Sequence, residues 1–99
     1  MLDLDAIIDS TFQIKIEGLV IEVKEPSHSM YNKILNISQA EDTQEIYARQ
    51  LEVAHELINN NVSGYKIGKE KLSKMPQRVI AKIVNYIFAE TTKKINDPN

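Results

Sequence analysis

Chemistry in this chain would have to start from its two imidazoles, His28 and His55, because it has no cysteine. Glu52 and His55 stand in the Glu-x-x-His spacing that di-iron helical bundles use. Such a site takes a second pair and two further carboxylates from other helices. One pair is present, on a polar face, so a solvated helix surface is the better reading. His55-Glu56 does not continue into His-Glu-x-x-His, which excludes that zinc motif. Ser27-His28-Ser29 sets two hydroxyls beside an imidazole along the chain. Nucleophile activation needs spatial geometry, and serines before a helix suit capping. The three glycines, at 18, 64 and 68, match neither the Walker loop nor the dinucleotide fingerprint. With no nucleophile and base to pair, the chain reads as a non-enzyme without cofactor or metal.

The charged residues point to binding. Lys66, Lys69, Lys71, Lys74, Arg78 and Lys82 form a basic stretch that begins beside Tyr65, and a nucleic-acid surface would aim such charges at phosphates. No nucleic-acid motif accompanies them, and nucleic acid is not the expected partner. The net charge of −2 conceals a polarity: residues 1–60 carry a net −7 and residues 61–99 a net +5. The preferred explanation is that the two halves face and neutralise each other; steering of an acidic partner to the second half is the competitor.

Ninety-nine residues, 42% hydrophobic and 26% charged, suit one globular domain with a modest core. The expected domain spans 1–90, with 91–99 a polar, frayed tail. The start, MLDLDAIIDS, is acidic where a signal peptide is basic. No run approaches the roughly 20 apolar residues of a membrane span. A cytoplasmic protein is expected.

The elements that must position these side chains begin with a hairpin. Thr11–Lys24 alternates apolar and polar residues with the period of a half-buried strand, around Glu17-Gly18. That register pairs Ile16 with Leu19, Ile14 with Ile21 and Phe12 with Val23 on one face. A lone hairpin is marginal in water, so this face needs a cover. Residues 3–9 are open between a helical turn and a third strand. After Pro26, Ser27 or Ser29 caps a helix to about Ser38, with Met30, Ile34 and Ile37 inward. Asp42 precedes Glu45 by a capping-box spacing and starts a helix from Thr43 to about Asn60. Its inward stripe is Tyr47, Leu51, Ala54 and Ile58. Asn59-Asn60-Asn61 and Ser63-Gly64 break it. Lys69–Lys74 makes one helical turn, and Pro76 suits the first position of a last helix reaching about Glu90. The expected fold is α+β: an antiparallel hairpin packed against three main helices and a short helical turn.

On the last helix, Tyr86, Val79, Ile83, Ile87, Ile80, Val84 and Phe88 fill an arc of roughly 200° at about 100° per residue. A helix on one core shows a stripe of roughly 100° or somewhat more. This helix is therefore either central or covered by a second molecule. Val79, Ile83, Tyr86, Ile87 and Phe88, with Tyr65 and Ile67 beside them, are the candidate partner-binding residues.

The order of features (FQIKIEGLVIEVKEP, SMYNKIL, DTQEIYARQLEVAHELI, SGYKIGKEKLSKMP, QRVIAKIVNYIFAE) resembles the small tail assembly chaperones of long-tailed bacteriophages of Gram-positive hosts. In that family a strand pair with a Gly turn, a middle helix and a leucine-or-methionine, proline step before the last helix recur. Here the step is Met75-Pro76. The resemblance covers most of residues 11–90. It implies a non-enzymatic protein of the host cytoplasm that coats the tape measure protein and recruits tail tube protein. It also implies that a homo-oligomer and a longer, frameshifted form are both open. Thr92-Lys93-Lys94 is compatible with the slippery heptamer A AAA AAG, which the coding DNA would reveal. The alternatives are a tail-completion or head–tail connector subunit and a small nucleic-acid-binding regulator.

Overall fold

Alternation does produce the hairpin. In the computed structural model, which describes residues 1–97, β1 (Thr11–Ile16) and β2 (Leu19–Lys24) pair antiparallel. Ile16 opposes Leu19, Ile14 opposes Ile21 and Phe12 opposes Val23, the expected register. Gly18 has φ +79°, and Glu17 also has a positive φ, 51°. Two left-handed residues are what a type I′ turn requires, and they match the twist of the strands. A non-glycine there is uncommon. Glu17 is held in place by two bonds to its carboxylate: the Tyr65 hydroxyl donates to Oε1 at 2.5 Å and Lys71 Nζ to Oε2 at 2.8 Å.

Residues 3–9 form a short helix, α1 (Leu4–Ile8), capped by Asp3, whose side chain accepts from the Asp5 and Ala6 amides. α2 (His28–Asn36) is capped by Ser27 and runs into a single 3-10 turn, Ile37–Gln39. α3 (Thr43–Asn59) starts at Asp42, whose carboxylate accepts the Glu45 N–H at 2.8 Å. α4 (Lys69–Ser73) is the expected helical turn. α5 (Gln77–Ile95) begins one residue after the position expected for proline, with Pro76 as its extended cap. The result is the α+β fold that the pattern predicts.

α3 and α5 are the principal helix pair, and α3 also contacts β2, α2 and α4. The core between them holds Val53, Ala54, Leu57 and Ile58 of α3, and Ile80, Ile83, Val84 and Ile87 of α5. The hairpin adds Phe12, Ile16, Ile21 and Val23, and Ile34, Ile37, Ile67 and Leu72 close it. Two expectations change. The inward stripe of α3 runs through Ile46, Val53 and Leu57 and leaves Tyr47 exposed, because Tyr47 lies one residue, about 100°, off that face. The tail expected over 91–99 instead continues α5 to Ile95. Thr91 is buried with its hydroxyl donating to the Ile87 carbonyl, so a polar residue enters the core with its bond satisfied. Residues 98 and 99 of that tail lie outside the described residues.

Candidate docking groove beside an open strand edge

A two-stranded sheet has two edges, and this chain treats them differently. In an antiparallel pair, alternate residues turn their backbone N–H and C=O away from the partner strand. On β2 the outward set includes Glu22 and Lys24. The Lys24 N–H donates to the Asn60 carbonyl at 2.8 Å, the Glu22 carbonyl accepts the Val62 N–H at 2.9 Å, and the Glu22 N–H donates to Ser63 Oγ at 3.0 Å. The segment after α3 therefore closes the β2 edge, with a bridge between Val23 and Asn61.

That segment is itself held by asparagine side chains. Asn59 donates through Nδ2 to the His55 and Ile67 carbonyls and accepts the Ile67 N–H at 2.7 Å. Asn61 donates to the Ile58 and Tyr65 carbonyls and accepts the Ser63 and Tyr65 N–H groups. These bonds bring Tyr65 against the hairpin turn. Burial, with the Glu17 carboxylate beside it, pushes the Tyr65 phenol up to about 12. The hydrogen bond from Lys71, with that from Tyr65, holds the Glu17 carboxyl below its ordinary value.

The β1 edge has no such cover. Gln13 and Lys15 oppose Glu22 and Val20, so their outward backbone groups face the other way, and none has a partner among the described residues. Beside that edge lies a groove of about 550 Å³ between β1 and the first half of α5. Ile14, Ile16, Pro76, Val79, Ile83 and Tyr86 form its apolar lining. Val79, Ile83 and Tyr86 follow the i, i+4, i+7 spacing that keeps side chains on one helix face. Tyr86 also meets Phe12 edge-on, with ring centroids 6.4 Å apart. Three cations line the groove (Lys15, Arg78 and Lys82) and no acid does. None of the three has an ion-pair partner among the described residues.

The other members of the basic stretch are engaged within the monomer. Lys66 donates to the Asn59 carbonyl, Lys69 pairs with Glu52, Lys71 with Glu17 and Lys74 with Glu70. The Lys69 and Lys71 pairs join the basic half to the acidic half. The Lys69 hydrogen bond also lowers the pKa of Glu52. No group of three metal-ligating residues occurs among the described residues.

The structure brings together Val79, Ile83 and Tyr86 of the seven candidate residues. Ile83 is 5% exposed and serves as floor, whereas Tyr86 is 41% exposed. Ile67 and Ile87 lie in the core and offer a partner nothing. Phe88 turns to the opposite side of α5 and stacks on Tyr31, 5.3 Å between centroids. Tyr65 is spent on the hairpin turn. The wide apolar arc of α5 thus divides into a core centre, a flank closed by α2 and a flank left as groove. Sequence reasoning missed Ile14, Lys15, Arg78 and Lys82 as groove residues. The available signal was the hairpin's need for a cover, but alternation does not say which edge receives it.

No family model matches the chain, and no curated protein or solved structure is similar to it. No helix among the described residues is long and apolar enough to cross a membrane.

Proposed function

We propose that this chain is a non-catalytic protein-binding module, a tail assembly chaperone of the kind its sequence resembles, and that it masks apolar segments of the tape measure protein during tail assembly. The observation that carries the reading is the groove: an apolar floor, an unpaired strand edge and a cationic rim on one surface. An extended segment laid along β1 gains backbone bonds from Gln13 and Lys15, the mode of strand addition. Its alternate side chains enter the groove over Val79, Ile83 and Tyr86. Each side chain fully buried there is worth about 1.5–3 kcal/mol. Weak contacts of this size, repeated by many copies along a long partner, add by avidity. Recruitment of tail tube protein is the second role the resemblance implies.

The test is co-expression with the long product encoded downstream. The expected result is that the product becomes soluble and co-purifies, and that Val79→Asp with Tyr86→Ala removes it from the complex while the chain stays folded. A product that remains insoluble, or that co-purifies equally with the double variant, defeats the reading.

A further inference from the structure

The three cations of the groove stand in two different places. By the two-residue period of a strand, Lys15 shares the outer face of the hairpin with Gln13, Val20 and Glu22, all of them exposed. Ile14 and Ile16 take the other face, toward α5. Arg78 and Lys82 belong to α5 itself, one helical turn apart and beside Val79. A strand added to β1 therefore has two rows of side chains. Its inner row lies over Val79, Ile83 and Tyr86. Its outer row continues the line of Gln13 and Lys15.

Lys15 has no counter-charge in that line. It opposes Val20, while Gln13 opposes Glu22, and no ion pair among the described residues includes it. Opposite charges directly across a sheet attract and like charges repel, so the free side of Lys15 favours a carboxylate. Arg78 and Lys82 are unpaired as well, and no acid lines the groove. Their field acts on any segment in the groove, within about 10 Å at 0.1 M salt.

We infer that the groove selects extended partner segments that alternate apolar and acidic residues, the apolar row on α5 and the carboxylates in the outer row beside Lys15. Such selectivity deepens the strand-addition reading of the groove and rests on it. Lys15 reads the row in which the acid stands. Arg78 and Lys82 add an attraction that follows net charge and is indifferent to row. The chain's own acidic arm is placed elsewhere: Leu4–Ile8 is helical, and that helix lies beside Thr91, Lys94 and Ile95 at the far end of α5. Single-stranded nucleic acid fits less well, because the groove offers one aromatic ring, Tyr86, where such surfaces stack successive bases on several.

The experiment titrates the purified full chain with short capped peptides and follows its amide NMR signals. Valine alternating with glutamate is compared with valine alternating with lysine, and with a blocked peptide of the same valines and glutamates. The alternating acid is expected to bind at least about fivefold tighter than the lysine peptide, the scale of cross-strand charge pairs turned repulsive. It is expected to bind at least about tenfold tighter than the blocked peptide, the scale of one valine left unburied. Shifts and slowed exchange centre on the Gln13 and Lys15 amides. Lys15→Glu removes the preference for glutamate over lysine. Arg78→Gln/Lys82→Gln weakens both acidic peptides alike and flattens the salt dependence, but keeps the preference for alternation. All three residues are exposed, and circular dichroism checks that the variants fold. No shift at millimolar peptide, equal binding of the alternating and blocked acids, or a lysine peptide as tight as the glutamate one would each overturn the selectivity. So would a Lys15→Glu variant with the wild-type preference, or an oligothymidylate that binds more tightly than any peptide. Gln13 and Lys15 amides already protected before peptide is added would also overturn it, since the chain's own arm or a second copy would then fill the groove. The peptides carry no tape measure sequence. Failed co-expression with intact peptide selectivity therefore defeats only the chaperone reading, and successful co-expression without selectivity defeats only the inferred segment chemistry.

Discussion

The hairpin has the same kind of strand on both sides, yet its two edges have opposite fates. Along β2 two backbone bonds and one to the Ser63 hydroxyl tie Glu22 and Lys24 to residues 60–63. Along β1 the corresponding groups face a groove. The difference is visible in one cross-strand pair: Ile21 is 2% exposed, whereas its partner Ile14 is only half-buried. Identical side chains in register thus do different work, one as core and one as groove lining. An unpaired edge beside apolar side chains is a hazard for aggregation, and a lysine on the edge is a common defence. Lys15 fits that role. Arg78 and Lys82 extend the positive charge along the groove beside it.

The strongest way to break this comparison is to truncate the isoleucine pair. Ile21→Ala should cost about 2–5 kcal/mol of stability, the range for a buried isoleucine. Ile14→Ala should cost roughly 1 kcal/mol or less, since much of that side chain already meets water. Denaturant midpoints measure both; equal losses would mean that the two edges are equally buried.

Opening the closed edge comes next. Asn61→Ala removes four bonds that hold the 60–65 segment and should cost about 2 kcal/mol, because some of the exposed partners recover water. Amide exchange at Lys24 and Val62 should rise before global unfolding. If it stays coupled to global unfolding, the asparagine is not what seals that edge.

A smaller effect separates stability from docking. Lys15→Glu changes an exposed, unpaired residue, so stability should move by less than about 0.5 kcal/mol. Recovery of the co-expressed partner should fall. A variant that binds like wild type would show that the rim charge plays no part.

The last prediction concerns the turn that joins the edges. The folded pKa of Glu17 is lowered, so its contribution is present above the ordinary carboxylate value and is lost as pH falls through the folded one. Wild type should therefore exceed Glu17→Gln in stability near neutrality, with the gap closing in acid. The Tyr65 phenol is raised to about 12, so its bond to Glu17 persists at neutral pH and is lost only as pH rises toward that value. A gap that stays constant down to acid pH would place the role of Glu17 in backbone shape alone.

Local features were legible in the sequence because they depend on neighbours along the chain. The hairpin register follows from alternation and Gly18. The Ser27 and Asp42 caps follow from side chains that reach amides three residues on. The end of α5 was not legible: TTKK reads as a polar tail, and only packing shows that Thr91 satisfies its hydroxyl on the preceding turn and enters the core. The Asn59–Asn61 run reads as a helix breaker, which it is. Its second role, a set of side-chain clips closing β2, joins residues as far apart as Asn59 and Ile67 and leaves no local pattern.

By itself the sequence determined that this is an α+β chain with one amphipathic hairpin, three main helices and more apolar helix surface than one stripe requires. Those properties arise from the period of side chains along a backbone. Only the tertiary structure decided where the surplus lies. Ile87 and Ile67 went inside, Phe88 met Tyr31, and Val79 and Tyr86 were left beside an unpaired β1. The physical reason is that a strand has two equivalent edges and a helix a continuous circumference. Which of them is covered depends on where distant segments pack.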